Sequence, residues 1–143
     1  MILDERNEFS DALAVTASAI SDVIDLGAAP TTQDIGNGEP LYLVIQVDEQ
    51  ATAAGAATVT FSLESDSTAD LATSATVHWT SSAIAKATLA PGYVVATIAL
   101  PNGSYERYLG VRYTVATGPL TAGKFSAFLT KDVAKWAALP DAL

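Results

Sequence analysis

The chain has 143 residues, a formal net charge of −9 and no cysteine. This length fits one domain with an ordinary hydrophobic core, and the lack of cysteine excludes disulfides, thiolate metal sites and a cysteine nucleophile. The acidic balance argues against nucleic-acid binding, which needs a basic surface. No apolar run is long enough to span a membrane, and the first residues do not follow the order of a secretory signal. We therefore expect synthesis in the cytoplasm.

The charge is unevenly distributed along the chain. Residues 1–70 carry 13 acids and one base, whereas residues 71–143 carry three acids and six bases. Such a division can guide docking or self-association, because complementary fields fix the orientation of an encounter. An acidic surface that maintains solubility explains the same numbers.

Apolar and polar residues alternate, or apolar residues run together, in nine segments. In chain order the predicted strands span residues 12–16, 21–26, 41–47, 57–64, 76–80, 83–89, 93–100, 108–115 and 125–131. The nearly continuous apolar run at 41–47 predicts a strand covered on both faces. The alternation predicts that one side of the strands at 57–64 and 108–115 faces the core. The residues on that side are Val59, Phe61, Leu63, Leu109, Val111, Tyr113 and Val115.

Turn signals rich in Gly, Asn and Pro separate these segments, and no helix alternates with them. The sequence therefore predicts an all-β domain, a sandwich or closed barrel of about eight or nine antiparallel strands with little helix. Residues 1–132 form this domain, and residues 133–143 form an apolar C-terminal tail that contains Trp136 and Leu139. We expect the tail either to dock on a partner, since Trp is common among residues that dominate binding, or to cap its own barrel.

The residues offer little that carries chemistry. The single histidine, His78, lies in a strand pattern and no nucleophile motif accompanies it, which favours a surface histidine over a catalytic base. Asp48 and Glu49, or the acids between residues 64 and 70, supply oxygens for calcium but without the spacing of a calcium loop. Sixteen acids also leave paired carboxylates for glycoside hydrolysis open. We predict no catalytic residue, no metal site, no cofactor and no enzyme activity.

Several short motifs follow one another in a fixed order. They lie at residues 10–12, 15–17, 24–27, 34–42, 53–57, 90–93, 107–113 and 117–123. In this order and spacing the chain resembles the capsid cement, or decoration, protein family of tailed phages over about residues 10–132. The resemblance implies a jelly-roll fold and an oligomer that binds the outer face of an icosahedral shell and stabilises it by bridging neighbouring subunits.

The partners that follow are the major capsid protein and the chain itself, as a homodimer first and a homotrimer second, with no nucleic acid and no membrane. The resemblance implies that the protein resides in the virion, on the outer capsid surface. Charge and the apolar tail nominate the interface residues Arg107, Arg112, Lys131, Lys135, Trp136 and Leu139. One alternative is a virion-displayed carbohydrate- or receptor-binding jelly roll, and clusters of exposed Trp or Tyr on one sheet face would favour it. The other alternative is a small glycosidase or lyase.

Overall fold

A computed structural model of the chain describes residues 3–28, 35 and 38–133. These residues form ten strands and one short 3-10 helix, Glu5–Asn7. The strands are β1 (Glu8–Ala14), β2 (Ala19–Ile20), β3 (Ile24–Asp25), β4 (Tyr42–Thr52), β5 (Thr58–Asp66), β6 (Thr76–Thr80), β7 (Ile84–Ala85), β8 (Val94–Ala99), β9 (Tyr108–Ala116) and β10 (Ala122–Thr130). The described part of the chain contains no helix of the length and hydropathy that crossing a membrane requires.

The strands form two antiparallel sheets that pack face to face. The first, sheet A, has the order β1-β10-β4-β8, and the second, sheet B, has the order β2-β9-β5-β6, with β3 also paired to β9 and β7 to β5. The prediction of an all-β, antiparallel fold with little helix is confirmed. If β2 and β3 are taken as one interrupted strand, and β6 and β7 as another, each sheet has four strands. That arrangement is compatible with the predicted jelly roll.

The core lies between the sheets and centres on three aromatic rings. Phe61 of β5 meets Phe125 of β10 edge to face, with ring centroids 5.2 Å apart, and meets Tyr113 of β9 in the same manner at 5.6 Å. All three rings are fully buried. The predicted inward-facing set is confirmed: six of its seven members are fully buried, and Val115 is partly buried against them. The alternation in the sequence therefore gives the correct register for β5 and β9.

The loop after β5 folds over the outer face of sheet B. Leu71 in this loop has a positive φ of 48° and is almost fully buried, outside the central core. Its side chain lies on Gly110 of β9, where a Cβ atom would stand only 2.6 Å from Leu71 Cδ1. A side chain at this position would have to displace the end of Leu71. The motif at 107–113 thus includes a glycine on which a distant loop packs.

The outer face of sheet A is also covered at one point. Val44 of β4 pairs with Phe128 of β10, and both are nearly fully buried although neither belongs to the core cluster between the sheets. Leu43 and Ile45, on the inner face, are fully buried as well. The expectation that the apolar run at 41–47 forms a strand covered on both faces is therefore confirmed around Val44.

Candidate functional site

Arg107, the first interface candidate, precedes β9 at the surface of sheet B. Its guanidinium binds Asp25 of β3 in a two-pronged ion pair, with Nε–Oδ1 and Nη2–Oδ2 distances of 2.9 and 2.8 Å. Both side chains are almost half exposed, and the guanidinium also lies over the ring of Tyr108, 4.8 Å from its centroid. The hydrogen bonds from Arg107 lower the pKa of Asp25 to about 2. Arg107 remains accessible to a partner, but its charge is already compensated.

Lys131, just after β10, is the most exposed of the described candidates. Its ammonium group binds Glu39 Oε2 at 2.5 Å, and both side chains are more than 60 % exposed. The hydrogen bond from Lys131 lowers the pKa of Glu39. A partner carboxylate would compete with Glu39 for this lysine. The tail candidates Lys135, Trp136 and Leu139 lie outside the described residues.

Arg112 differs from the other candidates because its charge is used inside the protein. It stands in the middle of β9, and its Nε binds Glu64 Oε2 of β5 at 2.8 Å. Glu64 is almost fully buried and also accepts a hydrogen bond from Ser62. Arg112 Nη2 donates a hydrogen bond to the carbonyl of Leu71, which holds the loop over sheet B in place. Arg112 therefore stabilises the fold. The three described candidates do not share a partner, because Arg107 binds Asp25, Arg112 binds Glu64 and Lys131 binds Glu39.

His78 of β6 forms the contact that most resembles catalytic chemistry. Its Nε2 lies 2.7 Å from Ser65 Oγ, and its ring packs on Tyr105 with centroids 4.3 Å apart. Ser65 is completely buried, however, and its hydroxyl also accepts the backbone N–H of Glu106. A substrate carbonyl cannot reach this hydroxyl in the fold as it stands. His78 is partly buried, and this burial lowers its pKa, although the charge of Glu106 opposes the shift.

The acids considered for calcium are bound by the protein itself. Asp66 is fully buried, and its carboxylate accepts hydrogen bonds from Ser67, Thr68 and Ser74. Burial opposes the ionisation of Asp66, but backbone hydrogen bonds from this loop outweigh it and lower the pKa. Glu64 is held by Arg112. Among the described residues no group of three or more His, Cys, Asp or Glu is placed to hold a metal ion.

A second polar network joins β1, β4 and β10. Ala12, whose φ of 46° is rare for a residue with a side chain, donates its N–H to Ser126 Oγ at 2.8 Å, and Ser126 donates to Asp48 Oδ2 at 2.7 Å. Burial, followed by repulsion from Asp11, raises the pKa of Asp48 and outweighs the hydrogen bond from Ser126. Nothing in the sequence alone joins these residues, because they come from three distant strands.

The raised pKa of Asp48 predicts a pH effect on stability. A raised pKa in the folded state means that folding disfavours the carboxylate, so this stability contribution is present below the ordinary Asp pKa of 3.8 and is lost as pH rises through the folded pKa. We therefore expect Asp48→Asn to raise the urea midpoint at pH 7 and to lose that advantage near pH 3. Asp22→Asn, which changes an exposed carboxyl, is the control. An equal gain for Asp48→Asn at both pH values would contradict the prediction.

Exposed aromatic platforms, the feature expected of a sugar-binding face, are sparse among the described residues. The exposed large apolar side chains there are Val77 at 54 % and Tyr93 at 38 %. Val77 lies in β6 of sheet B, whereas Tyr93 immediately precedes β8 of sheet A. Trp79 is partly buried against the core. No specific observation therefore favours the carbohydrate- or receptor-binding alternative.

No curated protein matches the chain. Residues 9–129 match the Bbp16 protein family, a span that includes all of the sandwich except the first residue of β1 and the last residue of β10. The chain therefore belongs to the Bbp16 family.

Proposed function

We propose that this protein is a structural capsid cement protein, which binds the outer face of an icosahedral phage shell as a homo-oligomer and bridges neighbouring capsid subunits. The main support is that the motifs of the cement-protein resemblance contact one another in space. The motif at 24–27 lies against the motif at 107–113, through the Asp25–Arg107 ion pair and a 2.7 Å hydrogen bond from Leu26 N to Arg107 O.

Other motifs of the resemblance also pair in this way. The motif at 15–17 meets the motif at 117–123 through hydrogen bonds from Leu120 N to Thr16 O and from Val15 N to Gly123 O, at 2.9 and 3.0 Å. Each motif alone is a weak sign of the resemblance, but these motifs are joined to one another by hydrogen bonds in the folded chain. The resemblance therefore concerns a connected part of the sandwich, and we propose the function on the basis of that resemblance.

The proposed mechanism needs no chemistry, only selective binding. A protein that binds the assembled shell and not free subunits stabilises the shell by mass action. Many copies that each contact two subunits gain avidity without a strong individual contact. The exposed ion pair of Lys131 suits a weak contact of this kind, because it can be exchanged for a pair with the shell at little net cost.

The direct test adds the purified protein to phage shells that lack it. We expect saturable binding with a fixed number of copies per shell and a higher temperature of shell disruption, measured by light scattering and by electron microscopy of heated particles. Bovine serum albumin at the same concentration controls for crowding. Absence of binding to shells from the phage that encodes the protein would contradict the proposal.

A matched pair of charge reversals tests the role of Lys131. We expect Lys131→Glu to reduce shell occupancy several-fold, because it replaces an exposed basic interface candidate by an acid that would repel a carboxylate of the shell. Lys124→Glu is the control, since Lys124 is also exposed and bound to a glutamate, Glu49, but is not an interface candidate. Occupancy is measured by co-sedimentation of each variant with bare shells. Equal loss for both variants would show that only net charge matters, and no loss for Lys131→Glu would remove this residue from the interface.

A further inference from the structure

The outer face of sheet A carries an apolar patch formed by Val44 and Phe128. The two residues are paired across β4 and β10, and they are 0 % and 1 % exposed. Every strand of the described chain belongs to sheet A or sheet B, and the 3-10 helix Glu5–Asn7 contains no buried residue. These elements therefore do not account for the burial of the patch.

The chain turns towards this patch immediately after β10. Thr130, the last residue of β10, lies on the same face as Phe128, because side chains two residues apart share a face of a strand. Its hydroxyl accepts the backbone N–H of Asp132 at 3.2 Å, a local hydrogen bond that bends the chain. Because this bond forms on the outer face, the chain leaves β10 on the side of the patch.

The C-terminal tail has the length and the composition to cover the patch. Phe128 lies two strand residues, about 7 Å, back from Thr130. Trp136 follows Thr130 by six residues, and six residues span up to about 20 Å when extended. Residues 136–139 read Trp-Ala-Ala-Leu, without a charged side chain. Trp136 therefore offers a large apolar ring within reach of the patch.

Gln46 adds a polar requirement next to the patch. It lies two residues after Val44 on the same face of β4 and pairs with Ser126 of β10. Its side-chain oxygen Oε1 is buried and accepts no hydrogen bond within the described part of the chain, and an unpaired buried acceptor is costly. The indole N–H of tryptophan is a donor that needs an acceptor. A tryptophan can therefore supply both the apolar cover and the missing donor.

We propose that Trp136 packs on Val44 and Phe128 of its own chain and donates its indole N–H to Gln46 Oε1. The short connection to β10 favours the chain's own tail over that of another copy, because it gives the ring a high effective concentration at the patch. Trp136 is then used inside the protein and does not contact a capsid shell. This inference does not rest on the proposed function.

Tryptophan fluorescence tests the packing, because the chain has only two tryptophans. In Trp79→Phe the emission comes from Trp136 alone. We expect a blue-shifted emission maximum that does not change on dilution, and acrylamide quenching several-fold weaker than for free tryptophan. Adding Val44→Ser should shift the emission towards that of tryptophan in water, whereas adding Val77→Ser, on the exposed edge of sheet B, should not. Emission like that of free tryptophan in Trp79→Phe would refute the proposal, and a change on dilution would assign the cover to another copy and overturn it.

A substitution in the tail tests the cover without changing either sheet. We expect Trp136→Ser to bind several-fold more of the dye ANS, which reports exposed apolar surface, while its far-UV circular dichroism spectrum stays that of the natural protein. Trp136→Phe should bind little dye, because it retains an apolar ring. Ile2→Ser is the control, since Ile2 is another large apolar residue outside the described part of the chain. Increased dye binding by Ile2→Ser and not by Trp136→Ser would show that the N-terminus covers the patch and that the proposal is wrong.

Discussion

Replacing Phe61 with alanine is expected to destabilise the domain by about 3–5 kcal/mol, the usual cost of truncating a large aromatic side chain in a packed core. Phe61 is fully buried and contacts the rings of both Tyr113 and Phe125 edge to face. The truncation leaves a cavity at the point where sheet A and sheet B meet. Neither sheet can close it alone, because each is held by its own hydrogen-bond ladder.

Urea unfolding followed by far-UV circular dichroism measures this loss. Val77→Ala is the control, since Val77 is 54 % exposed and surface substitutions change stability by less than about 0.5 kcal/mol. If Phe61→Ala does not fold, Phe61→Leu retains part of the volume and should fall between the control and the full loss. A cost below about 1 kcal/mol for Phe61→Ala would mean that the three rings are not the centre of the core.

The core strands are the part of this fold that the sequence predicts well. In β5 and β9 the side-chain period of two brings every apolar residue of the alternation to one face, so Phe61 and Tyr113 follow directly from the pattern. The strand at 76–80 also agrees with β6. The fold-level prediction succeeds because a strand that is buried on one face has an apolar residue at every second position of the sequence.

Strands whose hydrogen bonding is not accompanied by one-sided burial are predicted poorly. The sequence places the first strand at 12–16, whereas β1 runs from Glu8 to Ala14, because its polar residues Glu8, Ser10 and Asp11 hide the alternation and Ala12 adopts a positive φ at a bulge. Similarly, β4 extends beyond residue 47 to Thr52 through Asp48, Glu49 and Gln50. Three further predicted strands differ in extent: 21–26 contains only the two-residue β3, because β2 ends at Ile20, 83–89 contains only β7, and β10 begins three residues before 125.

The sequence also does not predict which charged residues pair with each other. Arg107 and Asp25 are 82 residues apart, and no local pattern joins them. The sequence therefore nominates Arg107 and Arg112 equally as interface residues, although the fold leaves the first near the surface and places the second over a buried acid. That difference depends on which strands become neighbours, which is a property of the topology and not of either residue's surroundings in the sequence.

The contrast between these two arginines gives a prediction about stability. Arg112→Met retains an unbranched side chain for packing but leaves Glu64 buried without its cation and deprives the Leu71 carbonyl of a donor. Removing one partner of a buried ion pair commonly costs 3–5 kcal/mol. Since Arg112 is 30 % exposed, we expect a loss of about 2–3 kcal/mol, near the range for hydrogen bonds to charged groups. Arg107→Met is the matched control and should change stability little, because both members of that pair are almost half exposed.

A double variant separates the lost pair from lost packing. In Arg112→Met the main cost is the uncompensated charge of Glu64, so adding Glu64→Gln should recover part of the stability, because burying a neutral amide costs less than burying an unpaired carboxylate. The coupling between the two substitutions comes from urea unfolding of the four proteins of the double-mutant cycle. If the double variant is no more stable than Arg112→Met, the loss comes from packing of the arginine stem. Arg112 would then hold the loop over sheet B by contact and not by charge.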